Sequence, residues 1–138
     1  MLPIGYIAHV ANHQCTGMTF LGELDHHAAT FVYLAPNTEL GALSEYLQMA
    51  KDNQADSIST SWGISCEFFV NSQVTLAENQ IFLQMAAQGQ SIFAASGDAG
   101  AYGCSRVGIL PPAGQELQLG DPNNQPYITA VGLSLIHI

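Results

Sequence analysis

Basic residues are almost absent from this chain of 138 residues. Lys51 and Arg106 are the only two, against 11 acidic residues, and the formal net charge is −9. Proteins that bind nucleic acid or anionic membrane surfaces neutralise phosphate with clusters of Lys and Arg, so the composition excludes both as partners. Because it has only two basic residues, a chain of this kind avoids a large positive charge and its self-repulsion in acid, where carboxylates are protonated, and this suits an acid environment. An ordinary acidic protein fits the composition equally well.

Long apolar runs, a leader and metal-binding cysteine pairs are also missing. No apolar run reaches the roughly 18 residues of a membrane helix, and the chain does not open on a signal peptide. The cysteines, Cys15, Cys66 and Cys104, form no C-x-x-C pair and no zinc spacing. Cys66 and Cys104 each follow a predicted strand, so they either pair as a disulfide at one sheet edge or remain as buried free thiols.

From residue 30 onward, strand and helix patterns alternate. Strands are predicted over residues 30–35, 56–62, 92–96 and 127–131, whereas residues 1–22 show no clear period. One helix is predicted from a cap at Asn37 or Thr38 to Asn53, and a second from Asn71 or Ser72 to Gly89. The second helix has an apolar face made of Val74, Leu76, Ala77, Ile81, Phe82, Met85 and Ala86. Short connections between alternating strands and helices predict an α/β fold with a parallel sheet.

The most informative segment is a glycine-rich turn after the third predicted strand. The apolar run 92–95 stops at Ser96-Gly97-Asp98, and Gly100 and Gly103 follow. Asp98 therefore stands at the carboxyl end of a buried strand, where ligands collect in open α/β sheets. Taken alone, a turn aspartate that accepts backbone hydrogen bonds is an equally good interpretation.

Several short motifs occur together in a characteristic order. Ser-Trp-Gly at 61–63 follows the second strand, Ser-Gly-Asp-Ala-Gly at 96–100 follows the third, and Pro-Tyr-Ile-Thr-Ala-Val-Gly occupies 126–132. In this order and spacing, residues 28–132 resemble the sedolisin family of serine-carboxyl peptidases, and within it the bacterial pepstatin-insensitive type. The resemblance implies part of a subtilisin-like, three-layer parallel sheet with flanking helices. It also implies a secreted, acid-acting endopeptidase whose partner is a peptide or protein substrate.

The resemblance assigns roles to particular residues. In that family a serine attacks the peptide carbonyl, a glutamate is its base, a first aspartate orients the glutamate, and a second aspartate donates to the oxyanion. Asp98 matches the second aspartate, which must be protonated to donate. The residues that match the substrate cleft are Ser61, Trp62, Gly63, Ser96 and Gly97. Cys66 and Cys104 match a disulfide of some bacterial members, which favours the bonded alternative above.

The match is incomplete at the base pair. The family's glutamate and orienting aspartate stand four residues apart, on one helix face, whereas the candidates here, Glu23 and Asp25, are two apart. If Asp25 is the matching aspartate, Leu21 takes the base position; if Glu23 is the base, His27 takes the orienting position. A third reading, which we favour, is that the pair lies upstream. His26 and His27 lack a zinc spacing and are interpreted as solvated loop histidines, so no metal site is predicted.

The nucleophile is also missing, since the family's serine lies in a Gly-Thr-Ser motif that does not occur in this sequence. Residues 133–138 depart from the family and match one reading frame of a common sequencing adapter, so we expect a non-native tail. We therefore divide the chain into a poorly determined segment (1–27), a partial peptidase domain (28–132) and that tail.

The expected function is an endopeptidase fragment that is itself inactive and, if complete, monomeric. The family's calcium site would lie in a missing carboxyl-terminal part, so no cofactor is expected here. The alternative is a non-catalytic domain that at most binds peptide. A flavodoxin-like binder is disfavoured because residues 35–38 lack the glycines of a phosphate loop.

Overall fold

A computed structural model describes residues 4–7, 30–64, 66–97, 100–104 and 117–132 of the chain. The elements within these ranges are strands β1 (Ile4–Ile7), β2 (Thr30–Tyr33), β3 (Ser57–Thr60), β4 (Ser91–Ala95) and β5 (Thr129–Val131), helices α1 (Glu39–Asp52) and α2 (Ser72–Ala87), and a 3-10 turn (Glu67–Phe69).

The strands form one sheet in the order β2-β1-β3-β4-β5, and every neighbouring pair is parallel. The predicted α/β fold with a parallel sheet is therefore confirmed. Strand β1, which lies inside the sheet between β2 and β3, was not predicted. Its four residues, Ile-Gly-Tyr-Ile, include a glycine and are too few to establish a period of two. The four predicted strands are all present: three are shorter than expected, and the third keeps its length but begins one residue earlier, at Ser91.

Both predicted helices are confirmed together with their caps. The Thr38 hydroxyl accepts a hydrogen bond from the Gly41 N–H at 3.0 Å, and the Asn71 side chain accepts one from the Gln73 N–H at 3.0 Å. Each cap satisfies a backbone donor that the first helical turn leaves open. At its other end α1 stops at Asn53, whose φ of 44° is left-handed.

The hydrophobic core lies between the two helices and the sheet. Its buried residues are Ala42, Tyr46, Met49, Ala50, Ala55, Ile58, Trp62, Ile81, Phe82, Met85 and Ile92. On α2 the expected apolar face was partly wrong: Leu76 is 68% exposed and Ala86 is exposed, whereas Glu78 is buried. The buried stripe follows positions 74, 78, 81, 82 and 85, and Leu76 lies about 200° around the helix from Val74. Neither helix in the described ranges is long and apolar enough to span a membrane.

Candidate functional site

A cleft of about 280 Å³ opens at the carboxyl ends of β3 and β4. The chain leaves β3 after Thr60 and β4 after Ala95, and the segments that follow flank the opening. A third segment, 118–123, closes the remaining side of the cleft, and we call it the third wall. The lining residues are Ser61, Trp62, Gly63, Ile64, Ala95, Ser96, Gly97, Gly100, Gly103, Gln118, Gly120, Asp121 and Asn123. A cleft in this place is where open parallel sheets bind ligands.

Backbone and amide hydrogen bonds tie the third segment to both strand ends. Ile64 and Asp121 form an antiparallel bridge, in which the Ile64 N–H donates to the Asp121 carbonyl at 2.8 Å and the Asp121 N–H donates to the Ile64 carbonyl at 3.0 Å. The Asn123 side chain donates to the Ala95 carbonyl at 2.8 Å. Any displacement of segment 118–123 therefore changes the width of the cleft.

At two positions of the cleft, the local backbone geometry requires glycine. A Cβ atom at Gly63 would lie 2.8 Å from the Asp121 carbonyl oxygen, closer than real Cβ contacts, so a side chain there would push the two walls apart. Gly97 has a φ of +89°, a conformation that residues with a side chain rarely adopt. The predicted glycine-rich character of the site thus has a steric cause.

Trp62 belongs both to the core and to the cleft. Its backbone N–H donates to the Thr60 hydroxyl at 3.2 Å, and its indole Nε1 donates to the Asn37 side chain at 3.0 Å. It is 9% exposed and it is the single tryptophan of the chain. Because it is the single tryptophan and lines the cleft, its fluorescence reports on changes at that site and in the core around it.

A disulfide between Cys66 and Cys104 joins two stretches beside the cleft. Cys66 lies two residues beyond Ile64, and Cys104 directly follows Gly103, which lines the opening. The structure therefore contains the bonded alternative of the two that the sequence left open. The bond anchors the described turn 100–104 to the segment that follows β3.

A pair of buried carboxyl groups lies behind the third wall. Glu78 of α2 and Asp121 of the wall are both buried, and they lie within hydrogen-bonding reach of each other. Burial, then the hydrogen bond and charge of Asp121, and then the charge of Glu39 raise the pKa of Glu78 from 4.5 to about 9. Glu78 is therefore protonated at neutral pH.

Sequence reasoning missed this pair. The available signal was the position of Glu78, which stands four residues before Phe82 and seven before Met85, in line with the buried stripe. No comparable signal marks Asp121, because only tertiary contacts bring it to α2.

The five predicted cleft residues, Ser61, Trp62, Gly63, Ser96 and Gly97, all line the opening. That they bind substrate stays a prediction. The predicted oxyanion donor Asp98 and the candidate pair Glu23 and Asp25 lie outside the described residues, as do His26 and His27. Within the described ranges, no group of three or more His, Cys, Asp or Glu side chains could hold a metal ion. The expectation about cofactors stays a prediction.

Comparison with known proteins gives two curated relatives, and no family model matches the chain. Sedolisin of Pseudomonas sp. (strain 101) is 39% identical over 93 residues, which cover 67% of this chain and 15% of the relative. Kumamolisin of Bacillus sp. (strain MN-32) is 30% identical over 113 residues, which cover 80% of this chain and 19% of the relative. The chain thus spans 15% and 19% of the lengths of these relatives.

A solved structure is also similar to this chain. Pseudomonas sedolisin, a serine-carboxyl proteinase complexed with two molecules of pseudo-iodotyrostatin, matches with a TM-score of 0.65 and 26% identity. The match covers 94% of this chain and 40% of that one. Sequence and structure therefore point to the same group of proteins.

Proposed function

Because this chain is related to the sedolisin family of serine-carboxyl peptidases, we propose that its cleft is the peptide-binding cleft of a serine-type endopeptidase. The observation that carries this proposal is the meeting of segments 61–63 and 96–97 at one opening between adjacent strand ends. These are the two segments that match the family's substrate cleft.

The chemistry of the cleft fits an extended peptide. Its described lining consists mainly of glycines and small or amide side chains, and Asp121 is the one ionisable group among them. Glycines let a ligand approach the protein backbone closely, and backbone N–H and C=O groups can then pair with those of a peptide. A bulky apolar cofactor would need a more apolar pocket than this one.

Asp98 is proposed as the oxyanion donor, in keeping with the family's motif. It follows Gly97 directly in the Ser-Gly-Asp turn, and as a protonated carboxyl it would donate to the developing negative charge on the peptide oxygen. This role requires acid solution or a raised pKa, and it supports an acid-acting enzyme. Glu23 and Asp25 remain candidates for the base and its orienting partner.

We propose that the 138-residue chain binds peptide but does not hydrolyse it. The sequence contains no Gly-Thr-Ser motif, and without an activated nucleophile no acyl-enzyme forms. The Cys66–Cys104 disulfide supports an oxidising, extracellular location. The second candidate function, a non-catalytic peptide-binding domain, makes the same binding prediction and differs in the activity of the longer protein.

The test measures equilibrium binding of pseudo-iodotyrostatin and of unlabelled peptides, with the fluorescence of Trp62 as the signal. Gly63→Ala should weaken binding by about tenfold or more, because its Cβ collides with the Asp121 carbonyl. Gly132→Ala is the matched control, since a Cβ there meets nothing within 4 Å. Equal affinity of the two variants would overturn the assignment of the cleft. Peptide turnover by this chain in acid would overturn the claim that it does not hydrolyse.

A further inference from the structure

We propose that one proton shared between the carboxyl groups of Glu78 and Asp121 holds the third wall of the cleft against α2. Glu78 is then a positioning residue for the cleft, and loss of the shared proton opens the cleft. The inference concerns the same cleft as the proposed function. It rests on that function only for its effect on peptide binding; the movement of the wall is a separate claim.

The hydrogen-bonding pattern of the pair requires the proton. As a carboxylate, buried Glu78 has no donor for either of its oxygens among the described residues. Asp121 accepts one hydrogen bond, from the Gln125 side chain at 3.2 Å. Two carboxylates cannot bond to each other because both only accept, whereas a protonated carboxyl donates to its neighbour. One shared proton therefore converts two buried acceptors into a hydrogen-bonded pair.

The other groups around the pair cannot replace the proton with positive charge. From α1, the carboxyl of Glu39 repels Glu78, and the phenol of Tyr46 faces both carboxyls as well as Glu45. Burial raises the pKa of Tyr46, so this phenol stays neutral. Lys51, the one basic residue within the described ranges, is exposed in the last turn of α1. Removal of the proton would leave two like charges in contact in a buried site, which is strongly unfavourable.

The pair reaches the cleft through short connections. Asp121 itself lines the opening and forms the backbone bridge with Ile64. Gln125 holds the same segment to α2, since its Nε2 donates to the Thr75 carbonyl at 3.1 Å and its Oε1 accepts from Asn79 at 3.0 Å. If Glu78 and Asp121 repel each other, segment 121–125 moves away from α2 and the bridge to Ile64 is strained.

Amide hydrogen exchange of the 138-residue chain, measured from about pH 5 to pH 10, tests this directly. Each rate is divided by its intrinsic, base-catalysed rate to give a protection factor. We expect the Ile64 and Asp121 amides to lose protection by about tenfold or more on the alkaline side, while the amides of Tyr46 and Phe82 in the core remain strongly protected there. The emission of Trp62 should change over the same pH range.

Glu78→Gln should abolish this transition, because a neutral amide keeps a donor for Asp121 at every pH. Asp121→Asn neutralises the other partner and should do the same, which keeps the test valid if one variant fails to fold. Glu45→Gln, which removes another buried carboxyl, is the matched control and should retain the transition.

Two results would overturn the proposal. One is an unchanged transition in Glu78→Gln or Asp121→Asn. The other is a complete loss of protection of the core amides at the same pH, since the whole chain would then unfold and the wall would have no movement of its own. Binding of pseudo-iodotyrostatin is measured in parallel. If it fails to bind at every pH, the proposed function is wrong, whereas the exchange result still decides the role of Glu78.

Discussion

Helix α2 meets the rest of the molecule through two interfaces of opposite chemistry. Toward α1 and the sheet it presents Phe82 and Met85, and the Phe82 ring meets that of Tyr46 edge-on, with centroids 4.8 Å apart. Toward segment 121–125 it presents Glu78 and other polar groups, and that contact consists of the hydrogen bonds of Gln125 to Thr75 and Asn79 and of the two buried carboxyl groups, Glu78 and Asp121. We refer to these as the apolar interface and the polar interface.

The difference lies in what each interface depends on. Apolar burial is nondirectional and does not respond to pH, so the contribution of the apolar interface is independent of pH. A hydrogen bond contributes about 1 kcal/mol net, but a buried group that loses its partner costs more than that. The polar interface is therefore specific and conditional, and it is the one that adjoins the cleft.

The largest effect should come from the apolar interface. Phe82→Ala removes a fully buried ring and should lower the free energy of unfolding by about 3–5 kcal/mol, with the same loss at every pH. Leu76→Ala on the same helix is the control: Leu76 is 68% exposed, so its change should stay below about 1 kcal/mol. Denaturant unfolding measures both. Similar losses in the two variants would mean that the core does not lie where we describe it.

The disulfide should have the next largest effect, and on the cleft side. Cys66 and Cys104 are separated by 38 residues, and replacing both by Ala should lower the free energy of unfolding by about 2–4 kcal/mol, because the unfolded chain gains freedom. Cys15→Ala is the control: reduction by dithiothreitol should lower the free energy of unfolding of this variant by as much as that of the parent chain. A double variant as stable as the parent chain would contradict a structural role for the bond.

The two interfaces also differ in how far the sequence predicted them. The helices, their caps at Thr38 and Asn71, and the core residues Phe82 and Met85 follow from local spacing and capping chemistry. The cleft segments 61–63 and 96–97 were assigned by the match of their short motifs to those of the family. Each of these signals lies within a few residues of what it predicts.

The parts that sequence reasoning missed depend on distant contacts. Strand β1 is short and contains a glycine, so its neighbours in the sheet decide its conformation. Glu78 has the charge of a surface residue, and its burial depends on Asp121, which is 43 positions further along the chain. A pattern read along one helix cannot reveal a partner of that kind.

Between about pH 4.5 and pH 9, the largest pH dependence of stability should come from the polar interface. The pKa of Glu78 is raised from 4.5 to about 9 in the folded state, so the folded chain keeps a proton that the unfolded chain releases. The resulting stabilisation is complete below about pH 4.5 and is lost as the pH rises toward 9, which gives the free energy of unfolding a downward slope with pH over this range. Glu78→Gln should flatten this slope in denaturant unfolding at several pH values. Asp56→Asn, at an exposed position, is the control and should keep the slope. Equal stability of the parent chain at pH 5 and pH 8 would refute the assignment of the pH dependence to Glu78.

The smallest effect should come from Tyr46, where the two interfaces meet. Its ring packs in the core against Phe82, and its hydroxyl shares a hydrogen bond of 3.2 Å with the Thr60 hydroxyl. Tyr46→Phe keeps the ring and removes the hydroxyl, and Thr60 still accepts from the Trp62 N–H at 3.2 Å. The free energy of unfolding should therefore fall by only about 1 kcal/mol.

This loss should be the same at every pH below about 10, since the phenol is neutral in the unfolded chain there and burial keeps it neutral in the folded chain by raising the pKa of Tyr46. If the loss instead grew with pH, the hydroxyl would be supporting the carboxyl pair, and Tyr46 would have to be assigned to the polar interface. Denaturant unfolding of Tyr46→Phe beside Glu78→Gln, and of the double variant, separates these cases. Additive losses keep the two interfaces independent, whereas a coupling energy above about 0.5 kcal/mol would join them into one unit.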